Sequence, residues 1–146
     1  MIIVGKKEGF ITADKSVDVF AKRLGNRVCF TGPVADNVLK QYYVNASLLI
    51  LPSLYEGFGL PPLEAMACGC PTIVSHVASL PEVCGDATLY CDPYNINDIA
   101  AKILLLLSEP ELQDKLREKG LEQARKFTWD KSAQETLSVI EKVLSH

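Results

Sequence analysis

The sequence predicts an α/β fold in which a parallel sheet is covered by helices. Residues 1–93 alternate short apolar runs with longer segments whose apolar residues recur at helical spacing, whereas 94–146 carry only helical patterns. The runs lack polar alternation, as in Ser47–Leu51, which is typical of parallel strands buried on both faces. Strand–helix alternation followed by helices therefore indicates an α/β layer architecture. The length of 146 residues indicates a single domain over 1–146.

Five strands are predicted, and most of them are followed by glycine or proline. They are Met1–Val4, Arg27–Thr31, Ser47–Leu51, Pro71–Ser75 and Ala87–Tyr90. The helices between them are Asp14–Leu24, Asp36–Asn45 and Pro61–Cys68, with one short turn at Leu80–Val83. Asp36 is the predicted N-cap of the second helix. Pro61 suits a first helical position because its missing N–H would have no partner within the helix.

Three further helices are predicted near the C-terminus. Asn95 and Asp98 are spaced like a capping pair at the start of the first. Its apolar stripe consists of Ile96, Ile99, Ala100, Ile103, Leu104 and Leu107. The second carries Leu112, Leu116 and Ala124 and is interrupted by Gly120 at some cost in stability. Thr128 caps the third, whose apolar seam consists of Ala133, Leu137, Ile140 and Leu144.

Composition and charge exclude several protein classes. The apolar share is 48%, the charged share 23% and the net charge −3, values that exclude a disordered tail and are ordinary for a globular protein. No surplus of Lys and Arg is present to neutralise phosphates along a duplex, so no nucleic-acid partner is expected. The longest apolar run, Ile103–Leu107, is far shorter than the roughly 20 residues that span a bilayer.

The cysteines predict a reducing compartment and no metal. There are five, an odd number, at Cys29, Cys68, Cys70, Cys84 and Cys91. No secretory signal is expected from the N-terminus, so reduced thiols and a cytoplasmic location are predicted, with a longer form of the protein able to lie peripheral to the membrane. Cys68 and Cys70 lack the second half-site of a zinc centre, so no metal or cofactor is predicted, and both are expected to be small packing residues.

The stretch between the third strand and the following helix carries the chemistry. Gly57 and Gly59 let the backbone approach a ligand closely. The helix that follows offers unpaired N–H groups and the positive end of its dipole, which suits phosphate. Glu56 and Glu64 flank this anion site, and a carboxylate can accept two hydrogen bonds from a vicinal diol such as ribose. Together these features predict a sugar-nucleotide site.

This stretch resembles the nucleotide-sugar half of the retaining glycosyltransferases of family 4, which have the double-Rossmann GT-B fold. The resemblance covers nearly the whole chain. It is carried by Ile3–Gly5, Val28–Gly32, Glu56 and Glu64, Ala65–Gly69 with Pro71, Pro81–Val83 and Asp92–Pro93. It implies a Rossmann-like parallel sheet flanked by helices, the C-terminal half of a GT-B fold.

The resemblance also implies roles for individual residues. Glu56, the candidate catalytic residue, would contact the hydroxyls of the donor sugar through binding and electrostatics rather than by covalent attack. Gly57 belongs to the same donor-binding loop, and Phe58, Gly59 and Leu60 would present backbone amides to the sugar or phosphate. Glu64 would bind the ribose. The donor would be a nucleoside diphosphate sugar. His76 is expected in a loop near the sugar or base pocket.

The chain departs from the family pattern at its N-terminal side. Family members have an N-terminal acceptor domain, and their nucleotide domain begins with one more βα unit that carries an Arg and a Lys for the diphosphate. Lys6 and Lys7 follow a different strand and do not match that pair. We therefore expect this chain to be inactive alone. We also expect self-association through the exposed last helix or an unpaired sheet edge.

Two other functions compete with sugar transfer. A glycosidase would use Glu56 and Glu64 as acid and base, but it would have no need of the glycine-rich element and helix between them. A non-catalytic nucleotide-sugar-binding module, or a subunit completed by a partner, needs no acceptor domain. Thermal stabilisation of the protein by a nucleoside diphosphate would argue against the glycosidase. Co-purification of a stable partner would favour the binding module.

Overall fold

Parallel strands joined through helices make up the computed structural model, which describes residues 1–5 and 16–145. They fall into two compact units, residues 1–39 and 40–146. The single domain over 1–146 stays a prediction. The α/β class with parallel strands and flanking helices is confirmed.

The first unit contains two strands and a helix. β1 (Ile2–Val4) pairs in parallel with β2 (Cys29–Gly32), with Ile2 opposite Cys29. α1 (Ser16–Leu24) confirms the described part of the predicted helix, whereas Asp14 lies outside the described residues, as do Lys6 and Lys7. Val17, Phe20 and Leu24, which recur at helical spacing and would form one apolar face, are exposed. The described part of this unit offers only two short strands to cover them.

α2 (Asp36–Asn45) has the bounds that the sequence predicts. Its cap differs, because the carbonyl oxygen of Ala35 accepts the first helical hydrogen bonds from Val38 and Leu39, at 2.9 and 3.0 Å. Asp36 is therefore the first helical residue rather than the N-cap. Its carboxylate still lies in the first turn, where it complements the positive end of the helix dipole.

The second unit is built on three parallel strands. β3 (Leu49–Leu51), β4 (Thr72–Ser75) and β5 (Leu89–Cys91) follow one another in the sheet, with β4 in the centre. All four residues of β4 are buried, whereas those of β3, the run for which the sequence predicts burial on both faces, are half-buried. Parallel strands end at one common edge, so the loops that leave β3, β4 and β5 share that edge.

Helices cover both faces of this sheet. They are α3 (Leu60–Ala67), α4 (Leu80–Cys84), α5 (Ile96–Ser108) and α6 (Pro110–Ala124), and α7 (Trp129–Leu144) follows them in the chain. Successive residues of a strand point to opposite faces, and in β4 Val74 and Ile73 enter different core clusters. The first cluster contains Leu63, Met66, Val74, Leu80, Val83, Cys84 and Ala87. The second contains Ile73, Cys91, Leu106 and Leu116.

The buried face of α5 differs from the predicted stripe. Leu106 is fully buried, with Ile99 and Ile103 packed against its cluster, whereas Ile96 and Leu104 are 81% and 66% exposed. Four consecutive leucines offer an apolar residue to every side of the helix, so periodicity does not select one. The predicted cap is confirmed, since Asn95 Oδ1 accepts from the amides of Asn97 and Asp98, both at 3.1 Å.

Gly120 lies inside α6 without ending it. A Cβ atom there would lie 3.1 Å from Met66 Cγ, because α3 and α6 pack directly against each other. The glycine is therefore needed for close helix packing, which compensates for its low helix propensity.

α7 begins at the predicted cap, where Thr128 Oγ1 accepts from the Lys131 amide at 3.2 Å. None of its residues is buried. The predicted seam is therefore in contact with solvent, and Leu144 is 80% exposed. Within the described residues, no helix combines the length and apolar character needed to cross a bilayer.

Candidate functional site

The loop from Pro52 to Gly59 leaves the carboxyl end of β3 and opens α3. It holds Glu56, Gly57, Phe58 and Gly59, and Leu60 is the first residue of the helix. The helix thus begins one residue before the predicted Pro61. Glu64 follows the first turn of α3 and is exposed, whereas Glu56 is half-buried in the loop.

Gly59 fixes the junction between loop and helix. It is the N-cap of α3, with φ 108° and ψ 46°, a conformation that residues with a Cβ rarely adopt. It is also buried, and a Cβ atom would lie 2.8 Å from Leu80 Cδ2. Gly57 meets nothing within 4 Å of an added Cβ. Of the two glycines that the sequence marks, only Gly59 is required by local packing.

Three backbone N–H groups at this junction are available to a ligand. Among the described residues, the amides of Phe58, Gly59 and Leu60 donate to no other group. Pro61 and Pro62 occupy the next two helical positions and have no N–H. The prolines therefore halve the usual donor set of a helix N-terminus. Phe58, Gly59 and Leu60, the three residues that the sequence singles out, lie directly before these prolines.

Serine hydroxyls hold the loop in place. Ser53 Oγ donates to Glu56 Oε1 at 2.7 Å, which orients the carboxylate from within the loop. Ser79 Oγ lies 2.8 Å from the Phe58 carbonyl oxygen and 3.1 Å from that of Glu56. Ser79 stands at the N-cap of α4 without capping it, so its hydroxyl serves the loop instead. Ser75 Oγ donates to the Ser53 carbonyl and ties the loop to β4.

A tyrosine holds the second carboxylate. Tyr43 Oη, from α2, donates to Glu64 Oε2 at 3.1 Å. Burial, followed by the charge of Glu64 and this hydrogen bond, raises the pKa of Tyr43 well above its usual value, so the phenol stays protonated. None of the ion pairs within the described residues includes Glu56 or Glu64. Each glutamate is thus oriented by a neutral hydroxyl.

The aromatic residues of the loop are placed differently from each other. Phe58 packs edge-on against Phe127, with ring centroids 5.9 Å apart. Tyr55 is 78% exposed. Phe58 therefore helps to anchor the loop, and Tyr55 is the ring that remains accessible.

A concave region lies at the carboxyl ends of β4 and β5, away from the residues of this loop. It is a pocket of about 410 Å³ lined by His76, Val77, Tyr90, Cys91, Asp92, Pro93 and Tyr94. The ring of His76 packs edge-on against Tyr90 at 4.9 Å. The role of His76 near a sugar or base stays a prediction.

The cysteines are buried or dispersed. Burial raises the pKa values of Cys70 and Cys84 to about 11, so both are protonated at neutral pH and inert as thiolate ligands. Among the residues that the structure describes, no group of three or more His, Cys, Asp or Glu side chains is arranged to hold a metal ion.

Sequence reasoning misses three residues that shape the site. Ser53 could have been found, since a serine three residues before a loop carboxylate is within reach of it. Tyr43 and Ser79 could not, because each meets its partner only through the packing of elements about twenty residues apart.

Comparison with known proteins identifies relatives that match most of the chain. The family model described as "Glycosyl transferases group 1" matches residues 1–123. The chain is 43% identical over 109 residues to O-antigen chain mannosyltransferase B of Escherichia coli, covering 75% of this chain and 29% of that protein. It is 36% identical over 121 residues to mannosylfructose-phosphate synthase of Agrobacterium fabrum, covering 81% of this chain and 27% of that one. The chain therefore spans less than a third of these curated relatives.

Solved structures give the same result for the fold. Sucrose-phosphate synthase from Thermosynechococcus elongatus matches with a TM-score of 0.85 and 28% identity, over 99% of this chain and 38% of that one. The C-terminal domain of a group 1 glycosyl transferase from Francisella tularensis matches with a TM-score of 0.67 and 30% identity, over 77% and 60% of the two chains. The fold is thus the Rossmann-like α/β arrangement of part of a GT-B enzyme, and the chain belongs to the group 1 glycosyl transferases.

Proposed function

We propose that this chain is the donor-binding half of a retaining glycosyltransferase and binds a nucleoside diphosphate sugar at the Glu56–Glu64 segment. One observation carries the proposal. The free amides of Phe58, Gly59 and Leu60 lie in the same segment as two carboxylates, each oriented by a hydroxyl. Amide donors suit phosphate and carboxylates suit diols, the two chemistries that a sugar nucleotide combines.

Each group then has a separate role. The amides of Phe58, Gly59 and Leu60 hold phosphate oxygens or the sugar. Glu64 accepts hydrogen bonds from the ribose diol. Glu56 accepts from hydroxyls of the donor sugar, and as the candidate catalytic residue it stabilises positive charge that develops at the sugar as the bond to phosphate breaks.

Retention at the anomeric carbon follows from the family resemblance. The acceptor hydroxyl attacks on the face that the nucleoside diphosphate leaves, and the departing phosphate takes the proton of that hydroxyl. Glu56 stabilises charge in this scheme and forms no covalent bond. No metal or cofactor takes part in the proposed reaction.

The sugar proposed is a hexose, with mannose as the first to test, since both curated relatives carry mannose in their names. Those relatives are more than three times as long as the region that they share with this chain. We therefore propose that the acceptor is bound by an N-terminal domain outside these 146 residues, and that this chain alone transfers no sugar.

A non-catalytic nucleotide-sugar-binding subunit is the second candidate. The apolar, fully exposed face of α7 favours it, because a subunit completed by a partner needs such a surface. The free amides at α3 weigh against the glycosidase alternative, in which acid–base carboxylates would need no phosphate site.

Calorimetry with nucleoside diphosphates tests donor binding. Glu64→Ala should weaken binding of the diphosphate by about 1–3 kcal/mol, the range for a hydrogen bond to a charged group. Glu111→Ala, which removes an exposed carboxylate from the first turn of α6, is the matched control and should leave affinity unchanged. Equal affinities for wild type and Glu64→Ala would remove Glu64 from the site. Turnover of a sugar nucleotide onto an acceptor by the pure chain would refute its inactivity.

A further inference from the structure

Tyr43 is the buried neighbour of a carboxylate that is itself exposed. Its side chain is 9% exposed, and its hydroxyl reaches Glu64 Oε2 at 3.1 Å. The two residues are 21 positions apart, on α2 and α3. The contact therefore depends on the packing of two helices in the second unit rather than on local sequence.

An exposed glutamate has a flexible side chain whose terminal torsion is broad. A hydrogen bond from a buried, packed ring restricts that freedom and defines the plane of the carboxylate. Such a restriction matters for diol recognition, because both hydroxyls must meet acceptors in one geometry. Ionised carboxylates have about four acceptor positions, so Glu64 can accept from Tyr43 and still accept from two ligand hydroxyls.

The phenol of Tyr43 is a neutral hydrogen-bond donor, and this distinguishes it from a salt-bridge partner. A lysine or arginine would compete with the ligand for the charge of Glu64, whereas a phenol leaves the carboxylate charged and a strong acceptor. Burial raises the pKa of Tyr43, which keeps the phenol a donor throughout the neutral range. Among the described residues, Cys68 and Cys70 are the other titratable groups that act on it, and both raise its pKa further.

We propose that Tyr43 is a positioning residue that holds Glu64 in the orientation needed to bind the ribose diol, and so contributes to selection of nucleotides that carry both ribose hydroxyls. The inference rests on the proposed function, since it assumes that Glu64 meets ribose. Tyr43 itself acts through Glu64 and touches no ligand.

Comparing each ribonucleotide with its counterpart that lacks both ribose hydroxyls separates the positioning role from a general effect on folding. ADP, GDP and UDP are each titrated alongside their 2′,3′-dideoxy counterparts, with affinities measured by NMR in the millimolar range. Tyr43→Phe should weaken binding of the best ribonucleotide by about three- to tenfold, the loss expected for one oriented hydrogen bond. It should leave the dideoxy counterpart unchanged. Tyr42→Phe, which removes the neighbouring hydroxyl on the same helix, is the matched control and should change neither.

A double-mutant cycle confirms the route of the effect. In a Glu64→Ala background, Tyr43→Phe should cause no further loss of ribonucleotide affinity, because the acceptor that Tyr43 orients is already gone. Additive losses would overturn the positioning role. A second double-mutant cycle compares the Tm values of the unliganded proteins. Tyr43→Phe should lower Tm less in the Glu64→Ala background than in wild type, because the hydrogen-bond partner is already missing. An equal decrease in both backgrounds would overturn the contact itself.

The two levels of the proposal fail in different ways. If Tyr43→Phe weakens ribonucleotides and dideoxynucleotides equally, Tyr43 is merely structural and the positioning role is overturned, while donor binding stands. If no nucleotide binds wild type at millimolar concentration, donor binding by this chain is contradicted and the positioning role falls with it.

Discussion

Gly59 lies against Leu80 so closely that a Cβ atom on the glycine would be 2.8 Å from Leu80 Cδ2. This contact connects the start of α3 with the start of α4, and it forces the site loop to carry a glycine with φ 108°. We therefore expect Gly59→Ala to lower the free energy of unfolding by about 1–3 kcal/mol, through backbone strain and steric overlap. Urea titration measures this directly.

Gly57→Ala is the natural control for that variant. It sits two residues away in the same loop, and nothing lies within 4 Å of its added Cβ. Its free energy of unfolding should stay close to that of wild type. Equal losses for the two variants would mean that the Gly59–Leu80 contact does not determine the loop conformation.

Ser79→Ala should separate loop order from helix stability. The hydroxyl makes no cap bond to α4, so its removal should cost the helix little. It does bond the carbonyl oxygens of Phe58 and Glu56. We expect Ser79→Ala to increase hydrogen exchange of the loop amides while Tm falls by only a few degrees, as for the loss of one hydrogen bond. Unchanged exchange in the loop would show that Ser79 does not restrain it.

Alkaline pH should destabilise the protein. Burial raises the pKa of Cys84 from 9.0 to about 11, and the pKa of Tyr43 is raised from 10.0. Between its ordinary pKa and its raised pKa, each group has lost its proton in the unfolded chain but keeps it in the folded chain. The free energy of unfolding therefore falls as pH rises above about 9. Above pH 10 the free energy of unfolding of Tyr43→Phe should fall less steeply than that of wild type. Parallel curves for the two proteins would contradict the raised phenol pKa.

Self-association should depend on the apolar face of α7. Leu137 and Ile140 are 55% and 49% exposed, and no residue of the helix is buried. We expect light scattering across a dilution series to show a dimer at high micromolar concentration. Ile140→Lys should shift it to monomer, whereas Ser138→Lys, with the same added charge two residues away, should not. A strictly monomeric wild type would end this prediction.

The order and type of the elements could be predicted because each depends on local chemistry. Uniformly apolar runs such as Leu49–Leu51 mark parallel strands, and Asn95 and Thr128 mark helix starts through hydrogen bonds that span only a few residues. The position of Glu56 before the glycines and of Glu64 on the helix likewise follows from the strand–loop–helix order.

What could not be predicted depends on packing between distant segments. Leu106 rather than Leu104 faces the core because of where α5 meets the sheet, and no periodicity distinguishes them in a run of leucines. In the sequence Gly120 indicates a weak helix, and only the structure shows that it packs closely against Met66. The Tyr43–Glu64 hydrogen bond joins two helices, and its residues are too far apart in sequence for the pair to be predicted.

The central claim is that the free amides at the start of α3 hold the phosphate of a nucleotide. The most direct measurement is a titration of isotope-labelled protein with a nucleoside diphosphate, followed through its backbone amide resonances. The account predicts that the amides of Phe58, Gly59 and Leu60 shift most, and that Glu64→Ala shifts the same amides only at higher ligand concentration. Shifts confined to the pocket of His76, Tyr90 and Tyr94, or no shifts at millimolar ligand, would contradict it.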